Sequence, residues 1–242
     1  MAKFLRCVSG DRDRLNLRAW FALYCIYMTV VVLLSLWGCR SFTESGTTWG
    51  EVVCWVGMYV FYFSLACTFV PLPTSWFVLF LASPQGPLDL NPIFRVVLVA
   101  AIGGAATGIA HLNEYHVISY LLQLGKIHRV RETRIYIWAE NIFKTSPFML
   151  QMWFNVVPVP ADPVRWLAII YRYPRVKFFL AHASGRTIRY GILAVAAVIF
   201  ELSARQIVII QMLLVILAIG KIFLPRSRSP REIAEPAEEQ TT

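Results

Sequence analysis

The stretch FNVVPVPADPVRWLAIIYRYP, residues 154–174, decides how this chain is read. Three prolines fall within six residues (Pro158, Pro160 and Pro163), beside Asp162 and Arg165, where apolar helix would be expected. Lipid offers no partner to the amides and carbonyls that a broken helix frees, and each one left unpaired costs several kcal/mol. Broken backbone at membrane depth must therefore be covered by protein or line a polar cavity. The stretch reads as a re-entrant, discontinuous segment around a membrane-embedded site.

The rest of the chain fits that setting. It has 242 residues, 57% of them hydrophobic and only 15% charged, against about a quarter charged in an ordinary soluble domain. The formal net charge of +9 does not point to nucleic acid. The bases cluster at the ends of apolar runs, and no soluble module carries basic and aromatic residues interleaved. The five cysteines (Cys7, Cys25, Cys39, Cys54, Cys67) lack CxxC spacing. They argue neither a metal site nor a disulfide framework and read as small apolar fillers. The LWGC at residues 36–39 faintly resembles a lipoprotein cleavage box, but Trp37 suits it poorly. The end of a signal anchor is the plainer reading.

In chain order, residues 1–18 form a basic cytoplasmic tail with Lys3, Arg6, Arg12, Arg14 and Arg18. A first spanning helix covers residues 20–37, between Trp20 and Trp37, and a short polar connection follows with Arg40, Glu44 and Gly46. Residues 52–88 carry no charge over 37 positions. That is too long for one crossing and barely enough for two, and Pro71 and Pro73 break it near the middle. The fitting reading is a hairpin that enters and leaves on one side. Pro92 suits a helix start, and a second spanning helix runs over 93–112, with extension to about 124. Its GGAATG at 103–108 lets backbones approach closely. Residues 126–144, with five bases and two acids, read as an amphipathic helix on the anionic inner leaflet or a solvated connector. A second broken hairpin occupies 146–171. Third and fourth spanning helices follow over about 178–200 and 206–224, with a tight turn at 203–205. Residues 225–242, rich in Pro, Glu and Ser, read as a disordered cytoplasmic tail.

Charge tests this topology. With four full crossings, two re-entrant hairpins and the N terminus inside, the basic clusters all face inward. Only Arg40, Arg95 and Arg205 remain outside. Counting either hairpin as a full crossing would put a basic cluster outside. The hairpins also resemble each other: Val70-Pro71-Leu72-Pro73 and Val157-Pro158-Val159-Pro160 are offset by 87. Opening on opposite sides, they make an inverted repeat, an arrangement in which transporters place their site between broken segments near the midplane. The fold class expected is an all-α integral membrane protein, with a membrane domain over 19–224.

The VPVPAD segment, the following YRYPRVKFFLAHASGRTIRYG, and the earlier LPTS hairpin with its ATG-containing helix resemble the DedA/VTT-domain membrane proteins, also called SNARE-associated Golgi protein homologues. The resemblance spans about residues 52–197. It implies paired re-entrant loops facing each other and movement of lipids between leaflets: polyprenyl-phosphate carriers or phospholipids in bacteria, scrambling in eukaryotic relatives. Many bacterial members carry an acid beside the first Pro-x-Pro loop and arginines around the second. Here residues 68–75 hold no acid, and the arginine positions hold Asn155 and Ala161. That departure favours an uncoupled scramblase or another lipid over proton-coupled phosphate-lipid transport.

Several side chains are candidates for such a pathway, each beside a plainer reading. Asp162 is an ionisable residue at membrane depth, which marks function by default, or else a helix cap or partner of Arg165. Arg165 can meet a lipid phosphate as a bidentate donor, or snorkel to the inner surface. Asn155, Thr74 and Ser75 offer neutral hydrogen bonds to a head group, or satisfy broken backbone around Pro71, Pro73, Pro158 and Pro160. Arg186 and Arg189, three apart on one face, line an inward vestibule or simply anchor the helix. His111, Glu114 and His116 lack HExxH spacing and read as a polar cavity wall rather than a metal site. No catalytic constellation, nucleotide motif or cofactor signature is visible.

The expectation is a lipid transporter or scramblase, not an enzyme, whose partners are membrane lipids rather than nucleic acid. A homo-oligomer is compatible with it, and the location implied is a bacterial inner membrane with both termini cytoplasmic. The alternatives are a membrane scaffold or assembly protein and, third, a lipid-modifying enzyme using His111 and Glu114.

Overall fold

The computed structural model describes residues 10–66, 73–123, 146–157 and 162–223. All regular structure among them is helical: α1 (Gly10–Ser45), α2 (Thr48–Ala66), α3 (Ser75–Ala82), α4 (Pro92–Gln123), α5 (Pro147–Val156), α6 (Asp162–Ile170), α7 (Arg175–Ile199) and α8 (Ala204–Phe223). Three helices are long and apolar enough to cross a membrane, over Arg18–Ser45, Thr48–Ala66 and Pro92–Tyr120. Leu33, Leu36 and Trp37 on α1 each expose more than half of their surface, an apolar face of the kind that lipid covers. From Arg205 onward α8 belongs to a unit separate from the helices before it.

The first helix is longer than its uncharged run. The Arg40 and Glu44 side chains, one turn apart, pair at 2.7 Å, and Thr43 and Ser45 donate back to Cys39 and Ser41 carbonyls. Those local bonds carry the helix through the segment read as a connection. The turn itself is Gly46, at φ +61°, a conformation costly for any residue with a Cβ. Returning antiparallel, α2 brings Cys54 beside Cys39, and the two form a disulfide with Cα atoms 4.7 Å apart. The reading of the cysteines as fillers is corrected here. Spacing along the chain could not show a pairing created by two helices folding back on each other. Cys25 is free and exposed; Cys7 and Cys67 lie outside the described residues.

The remaining helices of this unit surround α4 and α7, which pack along each other. Glycine makes the approach possible: a Cβ on Gly104 would stand 2.8 Å from the Ala183 carbonyl oxygen. The short helices cross over. The α3 helix packs on α7 as well as α4, and α6 packs on α4 and α5. Their first residues, Ser75 and Asp162, are separated by the same offset of 87 as the paired prolines. One apolar core gathers Tyr59, Phe63, Phe77, Leu81 and Tyr190. A second gathers Tyr115, Ile118, Val164, Leu167 and Phe178.

The two broken segments have unequal arms. In the first, α2 has 19 residues and α3 has 8, so α2 is long enough to cross by itself, where it was expected to be half of a hairpin. In the second, both α5 and α6 are short. The third and fourth expected spans are both helices. The turn before α8 involves Glu201 at φ +46° and precedes the predicted 203–205. Arg95, expected on the outer surface, is buried and donates to the Ser83 and Leu90 carbonyls. It ties down the loop between α3 and α4. The basic tail up to residue 9, the 126–144 stretch and the 225–242 tail lie outside the described residues.

Candidate functional site

Two chains of polar side chains meet inside the helical bundle. The first joins α4 to α6. Arg165 Nη1 donates to Glu114 Oε2 at 2.7 Å and lies 3.1 Å from His111 Nδ1. A guanidinium only donates and a carboxylate only accepts, so His111 Nδ1 accepts from Arg165 in one tautomer and, at 3.2 Å, donates to Glu114 Oε2 in the other. The arginine is charge-paired within the protein instead of reaching for the surface.

The second chain joins α5 to α7. Asn155 Nδ2 donates to the Gln151 carbonyl at 2.7 Å and stands 2.7 Å from His182 Nδ1. Arg186 Nε donates to Asn155 Oδ1 at 3.3 Å. Turning the amide over would set oxygen against the Gln151 carbonyl and nitrogen against Arg186, so its orientation is determined. Asn155 therefore donates, His182 Nδ1 accepts, and this imidazole carries its proton on Nε2. Gly185 permits the approach of α5, since a Cβ there would come within 2.8 Å of Asn155 Cβ.

The two chains touch through their histidines, whose ring centroids are 4.8 Å apart. His111, His182, Asn155 and Gln151 are all buried, none more than 2% exposed. Four helices, α4, α5, α6 and α7, thus converge on one polar patch. Buried polar atoms are nearly always hydrogen-bonded. Yet His111 Nε2, His182 Nε2 and Gln151 Oε1 have no such partner among the described residues. Two arginines, one carboxylate and two neutral imidazoles can hold a negatively charged or strongly accepting group.

A neutral counterpart lies at the first broken segment. Tyr190 Oη is 3.2 Å from Thr107 Oγ1 and 3.5 Å from Thr74 Oγ1. The Pro73 carbonyl accepts from Tyr62 Oη at 2.9 Å, which answers one of the backbone groups that the proline break frees.

Of the residues anticipated as a pathway, Arg165, Asn155 and Arg186 belong to the two chains. Thr74 lies in the hydroxyl group instead, and Arg189 is half-buried without a hydrogen bond to either chain among the described residues. Pro71, Pro158 and Pro160 lie outside the described residues, as does the side chain of Asp162, the residue that opens α6. His111 and Glu114 move from cavity wall to members of the site, while His116 stacks on Trp20 at 4.8 Å. His182 and Gln151 were missed. Their only sequence signal is that 182 and 186 are one turn apart, as are 151 and 155, which places each pair on one helix face. Among the described residues no group of three His, Cys, Asp or Glu is arranged to hold a metal ion. Comparison with protein-family models, with curated proteins and with solved structures finds no match to this chain.

Proposed function

We propose that this protein moves a lipid head group between bilayer leaflets, as a divergent relative of the DedA/VTT-domain proteins it resembles. The observation that carries the reading is the Arg165–Glu114–His111 and His182–Asn155–Arg186 network, buried at the histidines and Asn155 and part-buried at its charges, beside a proline-broken segment. Charged and neutral polar groups are costly inside a membrane bundle and mark a substrate path by default. A head group pairing with them avoids much of the cost of entering hydrocarbon, while its acyl chains stay in lipid. The common offset of 87 between the proline pairs and between the starts of α3 and α6, with each short helix packed on the other unit's long helix, supports an inverted repeat of two re-entrant segments. Without a nucleotide motif, the energy comes from the lipid gradient or an ion gradient.

We place the protein in a bacterial inner membrane with its N terminus inside. The clustering of bases supports that orientation. So does the Cys39–Cys54 disulfide, which persists only where the environment is oxidising and lies at the end of α1 expected outside. The scaffold alternative rests on basic surfaces that dock lipids or partners, and expects changes at Gly103–Gly108 to disrupt assembly. Gly104 and Gly108 instead accommodate α7 of the same chain, which weighs against it.

The test is a liposome assay with fluorescent lipids and an impermeant quencher, on wild type and Asp162→Asn. Quenching past the outer-leaflet half, faster than in protein-free liposomes and lost in the variant, is expected. Quenching that halts at half for anionic and zwitterionic lipids alike, with folded protein, removes passive scrambling and leaves a gradient-driven carrier or a scaffold.

A further inference from the structure

We propose that His111 and His182 form a buried oxyanion-binding site whose donors are their two Nε2–H groups. Arg165 and Asn155 act as the positioning residues that hold both imidazoles in that tautomer. The inference rests on the lipid-pathway reading only for the source of the oxyanion, a phosphate carried on a lipid or free in solution.

Three observations on separate helices lead to it. His182 offers its Nδ1 to a group that can only donate, Asn155 Nδ2 at 2.7 Å, and His111 Nδ1 stands 3.1 Å from Arg165 Nη1 and 3.2 Å from Glu114 Oε2. His182 then presents Nε2 as a donor, and so does His111 when Arg165 donates to it. Both Nε2 atoms are buried and have no hydrogen-bond partner among the described residues. The rings are also neighbours, at 4.8 Å between centroids and with a 49° tilt. A buried donor without an acceptor is a standing cost, and two neighbouring ones are explained together by an acceptor that both can reach. The surroundings bear on its charge: Arg165 is one hydrogen bond from His111, Arg186 is two from His182 through Asn155, and among the described residues Glu114 is the one carboxylate in the network. An anion fits that balance better than a cation. Because the Arg165 guanidinium lies on the Nδ1 side of His111 and Arg186 reaches His182 only through Asn155, the site reads an oxyanion through the ring N–H groups, with the arginines setting the field behind them.

The design of the network gives a sharp chemical test. Replacing Asn155 with aspartate substitutes a carboxylate, which only accepts, for the amide that donates. His182 then moves its proton to Nδ1, and its Nε2 becomes an acceptor facing the site. One isosteric change turns a donor into an acceptor without altering volume.

The experiment is nitrogen-15 NMR of the full chain in nanodiscs with labelled histidine. There are four such residues, and His116 and His128 serve as internal controls. His111→Gln and His182→Gln assign the two resonances. The expected result is a protonated Nε2 on both, displaced on titration with inorganic phosphate, with short-chain phosphatidic acid, or with both, and Nδ1 protonation of His182 in Asn155→Asp. Displacement by the lipid alone assigns the site to a head group; displacement by phosphate alone assigns it to a free oxyanion. Protonation at Nδ1 in wild type, or no displacement by either probe, overturns the proposal, and that readout needs no variant to fold. A silent histidine pair in protein that scrambles lipid removes this site and leaves the pathway. Displaced histidines in protein that does not scramble keep the site and remove the pathway.

Discussion

Asn155 shows how much one amide can decide. It touches Gln151, His182 and Arg186 at once, and those three partners leave a single consistent assignment of donors and acceptors. Arg165 stands between His111 and Glu114 and pairs with the carboxylate at 2.7 Å. Removing one member of a buried ion pair is far worse than removing both. The Arg165 and Glu114 side chains are 15% and 20% exposed, so Arg165→Ala is expected to destabilise by about 1–3 kcal/mol, the cost of the unpaired carboxylate, seen as a lower unfolding temperature in detergent. Adding Glu114→Gln to that variant should recover much of the loss. If the double variant is no more stable than the single one, Glu114 is not the group that Arg165 compensates. Asn155, Arg165 and Arg186 were legible beforehand as polar residues in an apolar setting. His182 was not, because a lone histidine in an amphipathic stretch has no signature until its partner from another helix is known.

At the scale of elements, close approach governs the bundle. Gly104 sits where α4 meets α7, with the Ala183 carbonyl 2.8 Å from where a Cβ would be. That contact is backbone and cannot rotate away. Gly104→Val is expected to cost about 1–3 kcal/mol by overpacking and to broaden the histidine resonances, since His111 and His182 lie on the same two helices. A variant as stable as wild type would show that α4 and α7 have slack. The α1–α2 hairpin is held differently. Its disulfide closes a separation of 15 residues, and a loop of that size is worth about 3 kcal/mol in the chain-entropy account. Cys54→Ser should lower the unfolding temperature under non-reducing conditions and become indistinguishable from wild type under reductant. An equal response of both proteins to reductant would mean the bridge is not formed.

For the whole molecule, the question is which way it faces. The charge distribution and the disulfide give the same answer by independent physics, one from insertion bias and one from redox environment. Thr47, exposed in the turn between α1 and α2, is therefore expected outside. A Thr47→Cys variant in intact cells should react with a membrane-impermeant maleimide without lysis. Labelling only after lysis would invert the orientation and remove the oxidising-compartment argument with it.

What the sequence determined by itself was the solvent of this protein and the places where its helices break. Apolar runs of spanning length, prolines and basic flanks act locally, through backbone hydrogen bonding and transfer to lipid, so they can be read along one dimension. Helix starts at Pro92, Ala204 and near Phe178 followed from those rules within a few residues. The tertiary structure alone decided which distant side chains meet. The Cys39–Cys54 bridge, the buried role of Arg95 and the His111–His182 contact each depend on crossing geometry between helices. Those crossings are set by where small residues let backbones touch. Hydrogen-bond direction then follows from that contact, because a donor acquires its meaning only when an acceptor from another helix stands within reach.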